Sequence, residues 1–338
     1  MSQRSSRKEE HLALAQMFFN TKNNSFDQVH LLRPALPETI VDKQVIKTSW
    51  LGKKIDAPFF INAMTGGSEK SKSINKGLAY VASKANIAMA LGSGSILAKE
   101  YDQLDTFYIA RETNPEGIII ANVNPLTPAK TAKKIVEDLH ADALQIHVNV
   151  LQEIAMPEGD RDFRWLAKMR DIRQEVNVPI IVKEVGSGLD PYSISLLKKE
   201  GFECFDVGGS GGTNFAQIEN GRRSHKLNYL DDLGLSTALA TLLARKETGN
   251  LIVSGGVRNA LDVFKGLALG GKYVGVAGYF LNCLTKNGKE GLLEEVESWK
   301  DQLASLMALY GQNDLNNINV KTYFDSELLN QYEQLKNS

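Results

Sequence analysis

The chain has 338 residues, 43% of them hydrophobic, which is enough to bury one large core with extensions at both ends. Its 39 lysines and arginines nearly balance 40 aspartates and glutamates, which argues against nucleic acid or an anionic membrane surface as a partner. Two cysteines without metal-site spacing, no signal-peptide core and no bilayer-length apolar run predict a cytoplasmic protein without disulfides.

Eight short apolar runs rich in β-branched residues alternate with segments of helical periodicity, a pattern typical of parallel βαβ units. The runs predict strands at 59–63, 87–91, 118–122, 143–148, 180–185, 204–207, 251–254 and 273–277. Eight is the number of strands that closes a (β/α)8 barrel. The sequence therefore predicts an α/β TIM barrel in one domain, with an N-terminal extension or lid (1–55), the barrel (56–310) and a C-terminal helical tail (311–338).

Polar groups follow the first three predicted strands, at the end where such barrels carry their reactive residues. The first strand ends at Ala63, Met64 and Thr65, followed by two glycines, which would suit the polar edge of a flavin or a phosphate. Formation of a tight turn is the competing interpretation. Ser93 and Asn122 follow the second and third strands, so the three sites together predict a polar rim.

The fourth predicted strand has one entirely polar face. Strict alternation places Gln145, His147 and Asn149 together, and three buried polar side chains favour a substrate-binding surface because each needs a hydrogen-bond partner. Gln152 and Glu153 come directly after the strand. The Glu153 carboxylate could hold Mg²⁺ through water and substrate oxygens, although an ordinary surface glutamate fits the sequence equally well.

Lys183 lies in the fifth predicted strand, and alternation directs it into the barrel if Glu184 faces the helices. Burying an unpaired lysine costs roughly several kcal/mol, so an anion or an electron-rich ring must offset the lost hydration. A Schiff base and a charge beside the N1 and O2 edge of a flavin are both consistent with this position.

Glycines end the last two predicted strands, where TIM barrels commonly bind phosphate. Gly255 and Gly256, followed by Arg258, end the seventh strand, and Ala277 and Gly278 end the eighth. Backbone without side chains lets amide N–H groups approach a phosphate closely at the start of a helix. Tight turns would explain either pair alone, whereas the two pairs together favour phosphate.

Two further segments carry predictions. Residues 208–234 are polar and glycine-rich, and we expect a mobile active-site loop there. Apolar residues at helical spacing from Leu292 to Met307 predict a helix that seals the outer wall of the barrel.

Seven motifs, in order along nearly the whole chain, closely resemble the type 2 isopentenyl diphosphate isomerases. They are RKEEH at 7–11, AMTGG at 63–67, HVNVLQE at 147–153, VKEVGSG at 182–188, GGSGGTNF at 208–215, SGGVRN at 254–259 and VAG at 276–278. The resemblance implies a homo-oligomeric FMN barrel, tetrameric or octameric, that interconverts isopentenyl diphosphate and dimethylallyl diphosphate. It also implies Mg²⁺ and a reduced flavin, with NADPH as the reductant.

Site residues follow from the same resemblance. It implies substrate contacts from Arg7, Lys8, His147, Asn149 and Gln152, with His147 and Gln152 also in catalytic roles, and Mg²⁺ bound by Glu153. The residues implied to line the FMN are Ala63, Met64, Thr65, Ser93, Asn122, Lys183, Thr213, Gly255, Gly256, Arg258, Ala277 and Gly278. The reaction would be a 1,3-allylic proton shift assisted by reduced FMN, with the N-terminal segment closing as a lid.

One position departs from the family pattern. Ser95 stands where the family often has an arginine, so an expected diphosphate contact is missing. We expect a weakened or rearranged diphosphate site that depends on Arg7, Lys8, Mg²⁺, or a basic residue such as Arg222 or Arg223. Two rival functions stay open: an FMN oxidoreductase of the 2-hydroxy-acid oxidase or dihydroorotate dehydrogenase type, and a flavin-binding barrel without catalysis.

Overall fold

Eight parallel strands close into a barrel in the computed structural model, which describes Leu14, Met17 and residues 24–336. Strands are numbered in chain order: β1 (Val29–Leu31), β2 (Thr48–Trp50), β3 (Lys53–Ile55), β4 (Phe59–Ile61), β5 (Met89–Ala90), β6 (Ile119–Val123), β7 (Ala143–Val148), β8 (Ile180–Glu184), β9 (Cys204–Asp206), β10 (Leu251–Ser254), β11 (Tyr273–Val276) and β12 (Thr322–Phe324). The barrel runs from β4 to β11 and closes where β11 pairs with β4. The predicted TIM barrel is confirmed.

Helices connect the barrel strands and cover their outer faces. They are α1 (Glu69–Ala85), α2 (Asp105–Thr113), α3 (Ala129–Asp138), α4 (Val150–Ala155), α5 (Leu166–Glu175), α6 (Pro191–Lys199), α7 (Phe215–Gly221), α8 (Thr237–Ala244), α9 (Ala260–Ala268), α10 (Gly278–Leu309) and α11 (Ser326–Leu335). Side-chain caps begin several of them: Ser68, Asp190 and Asn259 accept from amides in the first turns of α1, α6 and α9.

The helix predicted between residues 292 and 307 is confirmed as the second part of α10. Gly288 has a φ of 71° and kinks the helix there. After the kink, Val296, Trp299 and Leu303 are buried on the outer wall. Among the described residues, no helix is long and apolar enough to span a bilayer.

A β-hairpin closes the amino-terminal end of the barrel. Trp50 of β2 stacks on Tyr273, the first residue of β11, with ring centroids 4.3 Å apart, and packs edge-on against Phe60. Trp50 and Ile55 belong to the same buried apolar cluster as the inward-facing side chains of the barrel strands. The described hairpin thus fills the amino-terminal opening of the barrel with apolar side chains, and the polar groups that line the cavity lie at the opposite, carboxyl end.

Residues from both ends of the chain pair with each other. β1 and β12 form a two-stranded antiparallel sheet, with Val29 opposite Phe324. The 3₁₀ turn Ser25–Gln28, just before β1, packs against α8. The part of the N-terminal extension that the structure describes is therefore fixed to the barrel wall.

The prediction of one long loop at 208–234 was wrong for its centre. Residues 215–221 form α7, which packs against α4, and Asn228–Leu230 form a 3₁₀ turn. Asn214 caps α7 by accepting from the Gln217 amide, and the buried side chains of Ala216 and Leu230 pack with α4. The segment is polar overall, so its composition did not indicate the few apolar side chains that pack it against α4.

Candidate active site

A cavity of about 590 Å³ opens at the carboxyl ends of the barrel strands. Loops after the strands form its walls, and α4 and the segment that contains α7 flank its mouth. All the residues predicted to line a flavin reach this one space: Ala63, Met64, Thr65, Ser93, Asn122, Lys183, Thr213, Gly255, Gly256, Arg258, Ala277 and Gly278. His147, Gln152 and Glu153 line it as well. The fold thus brings together residues that lie more than two hundred positions apart in sequence.

A buried ion pair lies at the floor of this cavity. Lys183 Nζ is 2.9 Å from Oδ2 of Asp206, a fully buried side chain on the neighbouring strand β9. Ser254 donates to Asp206 Oδ1 at 2.5 Å and accepts from Lys183 at 3.1 Å. Of the two predicted ways to offset the burial of Lys183, an anion or an electron-rich ring, the protein itself supplies the anion as the Asp206 carboxylate.

Three amide side chains extend this floor across the barrel. Asn62 donates to Asp206 Oδ2 at 2.9 Å and accepts from Gln145 at 3.1 Å. Gln145 accepts in turn from Asn122 at 2.9 Å, and the Asn122 carbonyl oxygen is 2.7 Å from Nδ1 of His147. The result is a continuous polar chain from Asp206 to His147, with Gln145 fully buried in its middle.

The glycines after β10 are required by close packing of two loops. Gly255 and Gly256 have φ of 110° and 73°. A Cβ at Gly255 would lie 2.1 Å from the Gly209 carbonyl oxygen, and one at Gly256 would lie 2.5 Å from that of Gly211. Any larger residue would separate the two loops, so the glycines fix this wall of the cavity.

Helix α10 begins at the cavity without a side-chain cap. Ala277 occupies the cap position and makes no such hydrogen bond, and Gly278 and Tyr279 line the cavity in the first helical turn. The first amides of a helix have no partner within it and carry partial positive charge. This helix start is therefore suited to bind a phosphate.

Arg258 is already paired with carboxylates. Its guanidinium donates to Asp262 at 2.8 Å and to Asp27 at 2.6 Å, and these hydrogen bonds, Asp262 first, raise the pKa of Arg258. Asn24 donates to the Gly256 carbonyl oxygen beside it. Arg258 and Asn24 thus attach the N-terminal extension to the glycine loop.

Gln152 lies on α4 at the mouth of the cavity and is anchored by a carboxylate that sequence reasoning missed. Its Nε2 donates to Glu219 of α7 at 3.3 Å, and Glu219 is fully buried. Arg222 pairs with Glu219 at 2.5 Å and with Glu158 at 3.1 Å. Arg223 bonds the Ala155 carbonyl oxygen, and neither arginine lines the cavity.

Asn149 does not line the cavity, in contrast to the residues around it. Its side-chain Oδ1 accepts from the Gln152 backbone N–H at 2.9 Å, and its side-chain Nδ2 donates to the Val185 backbone oxygen at 2.8 Å. Asn149 is thus the cap of α4, because the chain turns into that helix at this residue, and its contact with substrate stays a prediction. Asn149 orients the helix that carries Gln152 and Glu153.

Of the residues predicted to bind metal and diphosphate, the structure describes Glu153 but not Arg7 and Lys8. Glu153 accepts from the Asp160 amide at 2.7 Å. Within residues 24–336, no three His, Cys, Asp or Glu side chains are grouped to hold a metal ion. Arg7 and Lys8 lie outside the described residues.

Ser95, at the position that departs from the family pattern, supports the rim. Its hydroxyl accepts from that of Ser93 at 2.9 Å, donates to the Asn124 side-chain Oδ1 at 3.0 Å and accepts from the Asn124 backbone N–H at 2.9 Å. Thr127 is also within 2.9 Å. The serine therefore joins the segment after β5 to the segment after β6.

The additional site residues had weak signals in the sequence. Asp206 is an acid within an apolar strand, and its pairing with Lys183 depends on strand register, which sequence alone does not supply. Asn62 directly follows an apolar strand, as the other rim residues do. Glu219 lies in the segment that was predicted as a loop, so its burial was not expected.

The chain is similar to characterised flavin proteins. Residues 100–324 match the family model of FMN-dependent dehydrogenase. Among solved structures, a flavocytochrome B2 mutant has a TM-score of 0.68 at 18% identity, covering 91% of this chain and 81% of that chain. A mandelate oxidase mutant with an FMN adduct has a TM-score of 0.61 at 15% identity, covering 94% and 92%. These structural similarities show a shared barrel fold.

Curated relatives are much closer in sequence. An isopentenyl-diphosphate delta-isomerase of Latilactobacillus sakei subsp. sakei (strain 23K) is 42% identical over 315 residues, covering 92% of this chain and 90% of the relative. One from Staphylococcus haemolyticus (strain JCSC1435) is 41% identical over 337 residues, covering 98% and 97%. By identity and coverage, the chain belongs to the FMN-dependent dehydrogenase family and, among its members, to the isopentenyl-diphosphate delta-isomerases.

Proposed function

We propose that this protein interconverts isopentenyl diphosphate and dimethylallyl diphosphate by a 1,3-allylic proton shift assisted by reduced FMN. The observation that carries the proposal is the placement of Gln152, anchored by buried Glu219, at the mouth of a cavity whose floor holds Lys183. A flavin bound beside Lys183 would therefore share the cavity with the Gln152 side chain. The relatives named for this activity support the assignment.

The cavity fits FMN on three counts. Its volume of about 590 Å³ lies within the range of cofactor pockets, its wall contains the uncapped start of α10, and its floor carries the ammonium of Lys183. Lys183 and the residues of the predicted flavin set would hold the cofactor. When bound, reduced FMN supplies an electron-rich ring and a group able to exchange a proton.

The diphosphate requires positively charged partners, but the lysine and arginine side chains that line the described part of the cavity are already paired with carboxylates. Lys183 and Arg258 are the lysine and arginine that line it within residues 24–336, and both are ion-paired with carboxylates. We therefore assign the diphosphate to Arg7, Lys8 and Mg²⁺. The Glu153 carboxylate would hold the ion, with water and substrate oxygens completing its coordination.

The side chains at the mouth and walls have separate tasks in this scheme. The side-chain Nε2 of Gln152 donates to Glu219. The side-chain Oε1 would then be the atom that orients or relays a proton at the substrate. His147 provides a second polar group from β7. Apolar side chains exclude water from a developing tertiary cation; they are Ile96, Leu126, Met156, Phe215 and Val257.

Several properties are proposed on family grounds. They are NADPH as the reductant, assembly into a tetramer or octamer, and a cytoplasmic location. We also propose the division into an N-terminal extension or lid (1–55), barrel (56–310) and C-terminal tail (311–338).

The test is an anaerobic incubation of the purified protein with FMN, dithionite, Mg²⁺ and isopentenyl diphosphate, with product separated by mass-resolved chromatography after acid treatment. We expect dimethylallyl diphosphate that depends on reduced flavin, and Gln152→Met should lower its rate while FMN still binds. If FMN binds but no product forms over a range of substrate concentrations, the assignment of isomerase activity is wrong. Net oxidation of a 2-hydroxy acid or of dihydroorotate by the same preparation would replace it with an oxidoreductase.

A further inference from the structure

We infer that Asp206 sets the tautomer of His147, through the amides of Asn62, Gln145 and Asn122, so that the neutral ring carries its proton on Nδ1. Asp206 and His147 are joined by four consecutive hydrogen bonds that cross the floor of the barrel. The three amides act as positioning residues. The catalytic consequence rests on the proposed function, whereas the tautomer itself does not.

The direction of the first bond is fixed at two points. The Asp206 carboxylate receives four donors: Asn62 and Lys183 at Oδ2, and Ser254 and the Gly208 amide at Oδ1. A carboxylate that receives this set can only accept, so Asn62 directs its NH₂ group toward Asp206. Independently, the Ala63 backbone amide donates to Asn62 Oδ1 at 2.8 Å, and a backbone N–H can only donate. The two constraints give the same orientation of the Asn62 amide.

Each following bond inherits its direction from the one before. Because Asn62 Oδ1 accepts, Gln145 must present its NH₂ group there and its carbonyl oxygen to Asn122. Asn122 must then donate to Gln145, which leaves its own carbonyl oxygen toward His147 Nδ1 at 2.7 Å. Gln145 is fully buried and Asn122 is 3% exposed, so water cannot readily replace a reversed bond. The hydrogen at the last contact therefore belongs to Nδ1 of His147.

This arrangement has a consequence for proton exchange at the cavity. With its proton on Nδ1, the neutral ring keeps its lone pair on Nε2, and a second proton can be added there without turning any amide of the chain. The opposite tautomer would require Asn122, Gln145 and Asn62 to reverse together against Asp206 and the Ala63 amide. His147 can therefore change between acceptor and donor at one defined atom.

Nuclear magnetic resonance of the FMN-loaded protein tests the tautomer directly. The protein is labelled with ring ¹⁵N-histidine, and the His147 signals are assigned by their loss in His147→Gln. At a pH where the ring is neutral, we expect a pyrrole-type shift at Nδ1 and a pyridine-type shift at Nε2. The reverse assignment in the wild-type protein would overturn the inference. The spectrum does not require catalytic turnover. A protein without activity would therefore refute the proposed isomerase function but would leave the tautomer measurement valid.

Two variants test whether the chain imposes the tautomer. Gln145→Met breaks the chain in its middle but leaves Asp206 paired with Lys183, and we expect its His147 signals to shift toward a mixture of tautomers. Asn122→Leu removes the last amide and should give the same mixture, which covers the case in which Gln145→Met does not fold. Asn75→Leu is the matched control. It removes a buried side-chain amide that donates to the Thr106 backbone oxygen and takes no part in the hydrogen bonds between Asp206 and His147. An unmixed Nδ1–H tautomer in both chain variants would overturn the proposed control by Asp206.

Discussion

Lys183 and Asp206 lie on neighbouring parallel strands of the barrel, and their charged groups are 2.9 Å apart with less than a tenth of either side chain exposed. The pair joins the flavin-type floor of the cavity to the polar chain that ends at His147. A lysine that faces a flavin site is therefore held in place before any ligand binds. Its carboxylate partner also offsets the cost of burying the ammonium group.

Removing the cation of this pair should destabilise the fold strongly. In Lys183→Met, Asp206 keeps its hydrogen bonds but loses its counter-charge, and breaking a buried pair typically costs about 3–5 kcal/mol. Urea unfolding with and without saturating FMN measures the loss and separates it from weaker flavin binding. The double variant Lys183→Met/Asp206→Asn should recover part of the loss. Unfolding of Lys183→Met at the wild-type midpoint would contradict this prediction.

The barrel was predictable from sequence because each strand is a short apolar run and each crossover has helical periodicity. The rim residues were predictable for a related reason, since all carboxyl ends of parallel strands meet at one face. The Lys183 partner was not predictable, because it depends on the register between β8 and β9. Strict strand alternation does not extend to Asn149, because the chain leaves β7 at Val148 and turns into α4.

Asn24 should strengthen FMN binding although it does not line the cavity. It accepts from the Phe26 amide at 3.0 Å and donates to the carbonyl oxygen of Gly256 in the glycine loop. Asn24→Asp retains the acceptor but loses the donor, and loss of one such hydrogen bond should raise the FMN dissociation constant about tenfold. Flavin fluorescence titration measures it. Asp42→Ala, which removes the cap of the 3₁₀ turn Lys43–Ile46, is the matched control and should bind FMN like the wild type.

Glu184 should make stability depend on pH. Burial raises its pKa from 4.5 to about 7, against the lowering effect of hydrogen bonds from the Ser187 and Gly188 amides and of the Lys183 charge. Between pH 4.5 and 7 the unfolded chain has released this proton while the folded protein retains it, so stability falls as pH rises through that window. The loss is complete above pH 7 and amounts to about 3 kcal/mol.

Glu184→Gln should therefore remove a pH-dependent penalty. The amide oxygen can still accept from the Ser187 and Gly188 backbone, but it never ionises. We expect thermal midpoints equal to the wild type near pH 4 and higher than the wild type at pH 8. Glu112→Gln, at an exposed position on α2, is the control and should leave the profile unchanged. A Glu184→Gln midpoint that follows the wild type at both pH values would refute the assignment.

Ser95→Arg should change the substrate Km. The substitution removes the hydroxyl that joins Ser93 to Asn124 and places a guanidinium at the rim of the cavity. If the diphosphate site lacks a charge at this position, as the sequence indicates, the arginine should alter Km more than kcat. Ser95→Ala separates loss of the hydroxyl from gain of charge. An unchanged Km in Ser95→Arg would count against a rearranged diphosphate site.

Glu219→Gln should slow isomerisation without weakening FMN binding. Glu219 does not line the cavity, but it accepts from Gln152 at 3.3 Å and pairs with Arg222 at 2.5 Å. Neutralising it removes the charge that holds the Gln152 amide, and misplacement of a proton-handling group typically lowers kcat by about tenfold to hundredfold. Steady-state kinetics and flavin titration on the same preparation separate the two effects.

A control in the same segment distinguishes positioning of Gln152 from general loosening of α7. Asp231 accepts from Asn220 at 2.6 Å, whereas Gln152 donates to Glu219. Asp231→Asn keeps the acceptor oxygen and should leave kcat near the wild-type value, whereas loosening of the whole segment would lower kcat in both variants. A lower FMN affinity in Glu219→Gln would place its effect on the flavin site. Reduced kcat with unchanged flavin binding, confined to Glu219→Gln, would establish that the buried carboxylate acts through Gln152.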